Sequence, residues 1–233
     1  IVVTGDAGLM AHAIWAEPVG LGTQNAPIIE DCIFNYTRFG NVMDANYGGR
    51  YVFRYNTVND GYIEAHSVQG NHRATRSWEI YGNTLNQVEL SMWTPFFLRG
   101  GTGVVFNNTL TGTWSSPTIT VDNRRSYEAL GDGGLCDGSS PWDGNEETNG
   151  YPARDQIGCS TDAWLWTGEN PYPPQEHDPF YQWNNIYNGV SVDVYVHNGC
   201  GIHIRENRDY YDRTQRPGYS PFTHPHPLIA DWD

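Results

Sequence analysis

The 233-residue sequence contains no lysine, and its 13 basic residues are all arginine. This absence excludes mechanisms that need a lysine amine, such as a Schiff base or the lysine of a phosphate-binding P-loop. Basic residues are also outnumbered by 27 acidic ones, which gives a net charge of −14. Because such a surface repels a phosphate backbone, we expect no nucleic-acid partner.

Cysteine is scarce, with four residues at Cys32, Cys136, Cys159 and Cys200. No two of them have the C-x-x-C spacing, which excludes a zinc ribbon and a thioredoxin motif. Cys136 and Cys159 flank a glycine-rich segment, and we predict a disulfide between them if the protein is secreted. Four cysteines allow three full pairings, and the sequence does not choose among them. Cys32 lies in an apolar run and is expected to be a buried free thiol.

Long apolar runs are missing as well. None approaches the roughly 18 residues of a membrane-spanning helix, so no membrane span is predicted. The sequence begins with Ile1 rather than Met, which indicates a processed chain or the C-terminal part of a longer one. What is abundant is glycine, with 26 residues, proline, with 14, and aromatic side chains, at 14%. This mixture is typical of a turn-rich β protein with a packed core, and the length suits one domain.

A short apolar run that ends in a polar residue recurs along the chain. Its copies IIEDCIF, VFRYNTV, EIYGNTL, VVFNNTL and YQWNNIY align five residues, which are Asp31, Asn56, Asn83, Asn108 and Asn185. The first three intervals are 25, 27 and 25 residues, and the last is 77, close to three periods. Periods in this range are typical of solenoids, in which each unit stacks on the next.

The repeating unit is predicted to be β-rich, because its apolar runs are short and bounded by glycine, asparagine and aspartate. Second strand-like runs, NVMDA, YIEAH, FFLRG and TITVD, lie between the copies. Two or three strands in about 25 residues predict one coil of an all-β parallel β-helix. We expect regular coils over 28–122, a Gly/Asp-rich insertion over 123–180, and a final coil with a tail over 181–233.

In such a fold the repeated asparagines stack about 4.8 Å apart, and their amides can form a hydrogen-bonded ladder. We expect Asp31 to end this ladder at the first coil. Asparagine also tolerates the left-handed backbone conformation better than most residues, so the ladder residues are expected to occupy turns of that kind.

Three further segments, GLCDGSSPWDGN, GYPARDQIG and RPGYSPFTHPHPL, carry a resemblance to known proteins. Together with the repeats they resemble the right-handed parallel β-helix proteins of the pectate-lyase-like superfamily, and within it a group of bacterial exported proteins. The resemblance covers 28–228 and implies a right-handed solenoid, a secreted or cell-surface location and no firmly assigned activity. That group commonly has a cysteine where this sequence has Ala153, which weakens the assignment of a partner to Cys136. The superfamily's polygalacturonases share Asp-Asp and Gly-His-Gly motifs, and neither occurs here.

The insertion and the tail offer candidate metal ligands. Asp132, Asp137 and Asp143 supply the oxygen atoms that calcium prefers, so Ca²⁺ is a candidate cofactor, with a solvated acidic loop as the alternative. His224 and His226 have a spacing that could hold a metal, but the sequence places no third ligand near them. We expect instead a packed tail that covers the C-terminal end of the solenoid.

Outward side chains of successive coils line up on a solenoid, and the second strand of each coil ends in a polar group. We predict a polar stripe of four catalytic candidates, which are Asp44, Glu64, His66 and Arg99. The predicted substrate-binding residues near it are Arg50, Arg54, Arg73, Arg76 and Asp122. Because arginine binds carboxylate or sulfate through paired hydrogen bonds, the stripe favours an acidic polysaccharide as partner.

Two reactions fit the polar stripe. β-Elimination needs a base at C5 of a uronate and a cation on its carboxylate, roles open to His66 or Tyr62 and to Arg99. Hydrolysis needs two carboxylates, for which Asp44 with Glu64, or Glu64 with Asp122, are the available pairs. The alternative to a lyase or glycosidase is a non-catalytic carbohydrate-binding, adhesion or structural module. Missing catalytic motifs and nine tryptophans, which can stack on sugar rings, favour it.

Overall fold

The computed structural model describes residues 1–4, 9–12, 20–38, 40–67, 74–89, 92–122, 156–160, 176–197 and 204–232. Within these ranges the chain is almost entirely strand and turn, with one 3₁₀ helix at Pro227–Trp232. The strands before residue 70 are β1 (Val2–Thr4), β2 (Leu9–His12), β3 (Ile28–Glu30), β4 (Ile33–Asn35), β5 (Asn41–Asn46), β6 (Arg50–Arg54), β7 (Thr57–Asn59) and β8 (Tyr62–Ala65). Those that follow are β9 (Ser77–Tyr81), β10 (Thr84–Gln87), β11 (Phe96–Leu98), β12 (Thr102–Phe106), β13 (Thr109–Gly112), β14 (Ile119–Val121), β15 (Cys159–Ser160), β16 (Glu176–His177), β17 (Phe180–Trp183), β18 (Ile186–Tyr187), β19 (Val190–Ser191), β20 (Val194–Val196) and β21 (Tyr210–Tyr211).

Three parallel sheets contain nearly all of these strands. Sheet A has the order β1-β4-β7-β10-β13-β18-β19, sheet B has β2-β5-β8-β11-β14-β20, and sheet C has β3-β6-β9-β12-β17-β21. Only the β18–β19 pair within them is antiparallel among the described strands, and β15 and β16 form a separate antiparallel pair. From β3 to β14 the chain passes through sheets C, A and B in strict rotation. The all-β prediction is confirmed, and the arrangement is compatible with a parallel β-helix.

The core lies between the three sheets, because alternate side chains of the central strands point inward. On sheet B these inward residues are fully buried, and they include Ile63, Ala65, Phe96, Leu98 and Ile119. Each large apolar side chain buried in this way contributes about 1.5–3 kcal/mol relative to exposure. The residues between them therefore point outward, and these positions carry the polar stripe.

The predicted asparagine ladder is present at the corner between sheets C and A. Asn83 Oδ1 accepts hydrogen bonds from the Asn56 backbone N (2.9 Å) and Nδ2 (3.2 Å). Asn108 Oδ1 and Asn185 Oδ1 accept the same pair from Asn83 and Asn108 respectively. The partners are 27, 25 and 77 residues apart. All four are buried, so the ladder satisfies polar groups that would otherwise be costly to bury.

Two details of the ladder prediction are wrong. The first residue of the series is Cys32, whose N–H donates to Asn56 Oδ1 at 2.9 Å, and not Asp31. The left-handed backbone occurs one residue before each ladder position, at Asp31, Tyr55, Gly82, Asn107 and Asn184. The ladder asparagines thus contribute hydrogen-bonding amides, and the residue before each of them adopts the left-handed backbone of the turn.

The tail is docked on the outer face of sheet C. That face carries an aromatic column in which Tyr81, Phe106 and Trp183 stack at 4.6 and 4.4 Å between ring centroids. Tyr219 of the tail packs edge-on against Phe106 at 5.8 Å and against Trp183 at 6.2 Å. Its hydroxyl donates to Glu79 at 2.5 Å, and burial followed by the Glu79 charge raises the pKa of Tyr219 far above its usual value.

Arg54 fixes the next part of the tail. Its guanidinium donates to the carbonyls of Phe222 (2.6 Å) and Thr223 (2.8 Å), to the Tyr81 hydroxyl, and to Glu30. Gly22 allows the tail to approach closely, since a Cβ there would stand 2.1 Å from the Ser220 carbonyl oxygen. The expectation that the tail packs is correct. It does so mainly along the side of the molecule, from β21 back towards β3, rather than over the C-terminal end.

Several predicted features lie outside the described residues. Arg73, Asp132, Asp137, Asp143 and Cys136 belong to this group, so the calcium site and the disulfide stay predictions, as does the extent of the insertion.

The two cysteines that the structure describes are Cys32 and Cys159. The backbone of Cys159 forms β15, and its partner strand β16 ends three residues before β17 begins. Cys32 is a buried free thiol, as expected, and burial raises its pKa. No helix in the described ranges is long and apolar enough to cross a membrane.

Candidate functional site

Sheet B brings the four residues of the polar stripe together on its outer face. Asp44 lies in β5 and Glu64 in β8, while His66 and Arg99 follow the last residues of β8 and β11. Arg99 N donates to the Ala65 carbonyl at 2.8 Å, which continues the parallel ladder and places Arg99 beside His66. Alternation along the strand then puts Glu64 and His66 on the same side.

A β-bulge at Val42 sets the register of the first strand of the site. Asn41 pairs with Tyr62 and Met43 pairs with Ile63, so β5 has one extra residue between them. The bulge places Asn41 where its Nδ2 donates to both Asp44 Oδ2 (3.2 Å) and Glu64 Oε2 (3.1 Å). Bulges of this kind often re-aim side chains next to functional sites.

Asp44 and His66 form a carboxylate–imidazole pair. The His66 Nδ1 lies 2.5 Å from Asp44 Oδ2, and the Asp44 side chain is buried while that of His66 is 21% exposed. Asp44 Oδ1 also accepts the Ala45 N–H at 2.7 Å, which fixes the carboxylate. When Nδ1 carries the proton that Asp44 accepts, the neutral ring has its lone pair on Nε2. The pair therefore provides an oriented base with one partly exposed ring.

Glu64 and Arg99 form a second, almost completely buried pair. An Arg99 Nη2 donates to Glu64 Oε1, and the Arg99 guanidinium also lies over the Phe97 ring at 4.8 Å. The Arg99 Nε has no hydrogen-bond partner among the described residues. Tyr62 donates its hydroxyl to Glu64 Oε2 at 3.1 Å, and burial, then the Glu64 charge, raises the pKa of Tyr62 far above its usual value. Tyr62 is thus a hydrogen-bond donor at neutral pH, which argues against it as the base.

An aromatic cavity of about 220 Å³ adjoins the polar stripe. Its walls include Tyr62, Glu64, Trp93, Thr94 and Phe97, and the Trp93 and Phe97 rings meet edge-to-face at 5.0 Å. Phe97 pairs with Glu64 across β8 and β11, so it continues the outward column of the carboxylate. Apolar rings beside a few convergent polar groups are typical of ligand sites.

Asp122 belongs to the same face but has a different neighbour. It follows β14, and its Oδ2 lies 3.3 Å from the Nδ1 of His197, the residue after β20. The His197 ring also contacts Trp93 at 4.8 Å and Tyr195 at 5.9 Å. The face therefore contains two carboxylate–imidazole pairs, with Arg99 and Trp93 between them in the order of the strands.

The predicted substrate-binding arginines that the structure describes do not join this face. Arg50 and Arg54 begin and end β6 of sheet C, and Arg76 immediately precedes β9 of the same sheet. Arg54 is committed to the tail, and Arg76 lies near Asp178, with 3.5 Å between Nη1 and Oδ2. Of the predicted binding residues that the structure describes, only Asp122 lies on sheet B.

Sequence reasoning missed Asn41, Trp93, Phe97 and His197. Two of them had a visible signal, because Phe97 occupies the position of Glu64 in the repeat and His197 that of His66. Extending the alignment to the run VDVYVH would have found His197. Asn41 depends on the bulge and Trp93 on a turn, and neither follows a period.

Metal binding is a further possibility for the polar stripe. One ligand atom from each of Asp44, Glu64 and His66 lies within 4.8 Å of the others. The Arg99 guanidinium on Glu64 opposes a second cation there, since like charges repel. Glu30, Asp31 and His224 form a similar group under the tail, but Glu30 already binds Arg54 and the His226 N–H.

Comparisons of the chain with protein-family models, with curated proteins and with solved structures find no match.

Proposed function

We propose that the chain is a right-handed parallel β-helix protein of the pectate-lyase-like kind that binds an extracellular polysaccharide on the outer face of sheet B. The rotation of the chain through three parallel sheets and the asparagine partners 25 and 27 residues apart support the fold. The observation that carries the function is the aromatic cavity beside the Asp44–His66 pair. Aromatic faces pack against sugar rings, and the polar groups orient the hydroxyls.

The chemistry we propose is β-elimination from a uronate-containing glycan. His66 Nε2 removes the C5 proton, the C5–H electrons form a C4=C5 double bond, and the C4–O bond breaks. The departing oxygen takes a proton from solvent. Arg99 is the cation that would neutralise the uronate carboxylate, which would share the guanidinium with Glu64. Asp44 stabilises the imidazolium that forms on His66.

Hydrolysis receives less support from the same geometry. Asp44 and Glu64 are 0% and 5% exposed, and both accept hydrogen bonds from Asn41. A glycosidase needs two carboxyl groups that reach the glycosidic bond from opposite sides. Carboxylates buried under their neighbours do not meet that requirement.

A second candidate is a non-catalytic glycan-binding module. One observation favours it, namely that Glu64 already holds Arg99, the cation that elimination needs. A uronate carboxylate would have to compete with Glu64 for the guanidinium. In this alternative the aromatic cavity and the His197 ring bind sugar rings, and no bond breaks.

The test is a glycan panel with separate readouts for binding and cleavage. Polygalacturonate and neutral galactan would be titrated against the protein by calorimetry, and unsaturated uronate would be followed by ultraviolet absorbance. We expect unsaturated product from the wild type, no product from His66→Gln, and retained binding in that variant. His224→Gln is the matched control, because His224 also pairs with a carboxylate, Asp31, at 3.1 Å.

Binding without product in the wild type would replace the lyase by the binding module. Loss of binding in Trp93→Ala would still locate the glycan at the cavity. Absence of binding to every glycan in the panel would contradict both candidates.

A further inference from the structure

A second cavity, of about 290 Å³, lies between the tail and the turn that contains Gly20 and Leu21. Its walls include Arg76, Asp178, Arg216, Pro217 and Tyr219. Its volume is about ten times the ~30 Å³ that one water molecule occupies in the liquid, so it can hold a molecule the size of a monosaccharide. The function proposed for sheet B does not use it.

Two arginines from distant parts of the chain meet in this cavity. Arg76 precedes β9 and Arg216 belongs to the tail, yet both approach the carboxylate of Asp178, at 3.5 and 2.8 Å. Arg216 is further held by the Pro179 carbonyl at 3.0 Å and by the Tyr181 ring at 5.5 Å. In a chain with 13 arginines and a net charge of −14, such a pair is a local exception.

The charged residues around the cavity limit which kinds of ligand can bind there. Glu79 lies nearby, but its carboxylate accepts from the Tyr219 hydroxyl and the Gly22 N–H, and burial raises its pKa. Asp178 is therefore the carboxylate that faces both guanidinium groups directly. A cavity where an internal carboxylate bridges two arginines has the geometry that a carboxylate ligand would require.

We propose that this tail cavity binds a small sugar acid. The ligand's carboxylate would bind Arg76 and Arg216 in competition with Asp178, and its ring would rest against Pro217 and Tyr219. Because the tail supplies Arg216, Pro217 and Tyr219, the ligand would also hold the tail on sheet C. This inference does not depend on the glycan site of sheet B.

The experiment is a calorimetric titration of the full chain with galacturonic acid, galactose and inorganic phosphate. We expect saturable binding of galacturonic acid and none of galactose. Arg216→Gln should weaken binding about tenfold or more, because a charge-assisted hydrogen bond is lost. Asp178→Asn should strengthen binding, because it removes the competing carboxylate. Arg213→Gln is the matched control, since Arg213 lies on the same tail and pairs with exposed Asp193 outside the cavity.

Three results would overturn the proposal: galacturonic acid affinity unchanged in Arg216→Gln, equal affinity for galactose, or phosphate binding as tight as that of the sugar acid. The Trp93→Ala variant distinguishes binding in the tail cavity from binding on sheet B. If monomer binding disappears in Trp93→Ala and persists in Arg216→Gln, the monomer binds at sheet B and the tail cavity is not a site. Thermal unfolding of each variant, with and without galacturonic acid, checks that a loss of binding is not a loss of fold.

Discussion

The outer faces of sheets B and C are built from the same repeat, yet only that of sheet C is packed under the described residues of the tail. The outer face of sheet C carries an aromatic column and Arg54, and the tail is packed over both. Sheet B carries Trp93, Phe97, Arg99 and two carboxylate–imidazole pairs beside a cavity, and no described part of the tail lies on them. The same residue types thus stabilise the fold on one face and form a candidate site on the other.

The arginines show the difference most clearly. Arg54 Nε and both terminal nitrogens have acceptors within the chain. Arg99 binds Glu64, and its Nε has no partner among the described residues. Arg54 therefore holds the tail, whereas Arg99 contacts Glu64 and Phe97, two walls of the aromatic cavity. This contrast leads us to place the glycan on sheet B.

The largest expected effects come from substitutions of two tryptophans, one on each face. Trp183 is 9% exposed beneath the tail and stacks on Phe106, so Trp183→Ala should lower the free energy of unfolding by about 4 kcal/mol. Trp93 lines the open cavity, and Trp93→Ala should cost far less stability while it abolishes glycan binding. Chemical denaturation and calorimetric titration measure the two effects. A similar loss of stability in both variants would remove the distinction between the faces.

Two arginines test the role of the tail. Arg54→Gln removes the charge that holds the Phe222 and Thr223 carbonyls, so it should release the tail and lower stability by about 3 kcal/mol. Arg99→Gln also breaks a buried pair, but it should leave the tail in place. Limited proteolysis distinguishes them, with faster cleavage after residue 213 expected only in Arg54→Gln. Equal cleavage rates would mean that Arg54 does not fix the tail.

The smallest effect concerns pH and Glu79. Burial raises the pKa of Glu79 above its usual value, so the folded state binds this proton more tightly than the unfolded state. The free energy of unfolding should therefore fall as pH rises from about 4.5 through the folded-state pKa of Glu79. In Glu79→Gln this part of the pH dependence should vanish. Denaturation curves at several pH values measure it, and parallel curves for wild type and variant would contradict the assignment.

Much of the fold could be predicted because it depends on a period. Apolar alternation and repeated asparagines mark the strands of all three sheets, and Asn56, Asn83, Asn108 and Asn185 do form a ladder. The ladder's start was placed one residue early, at Asp31. The runs IIEDCIF and VFRYNTV, aligned without a gap, put Cys32 level with Asn56, and the pairing of Glu30 with Arg54 has the same register. Because the Cys32 backbone N–H makes the first contact, a polar side chain was the wrong signal there.

The site was harder to predict than the fold. Asp44, Glu64, His66 and Arg99 meet because their positions follow the repeat, and they could be found by counting. Arg50, Arg54 and Arg76 are the same residue type as Arg99, but they lie on or beside sheet C. Which face the tail covers depends on tertiary contacts such as those of Tyr219 and Arg54, and these have no local signal. The position of the tail therefore determines which arginines a ligand can reach.

Hydrogen exchange with and without polygalacturonate tests most directly whether sheet B is the glycan-binding face. The Arg216→Gln variant should be used, so that the tail cavity does not contribute. We expect the glycan to slow exchange in β8 and β11, at Tyr62–Ala65 and Phe96–Leu98, and to leave the tail over 213–226 unchanged. Slower exchange in the tail and in sheet C, with none in β8 and β11, would contradict the account.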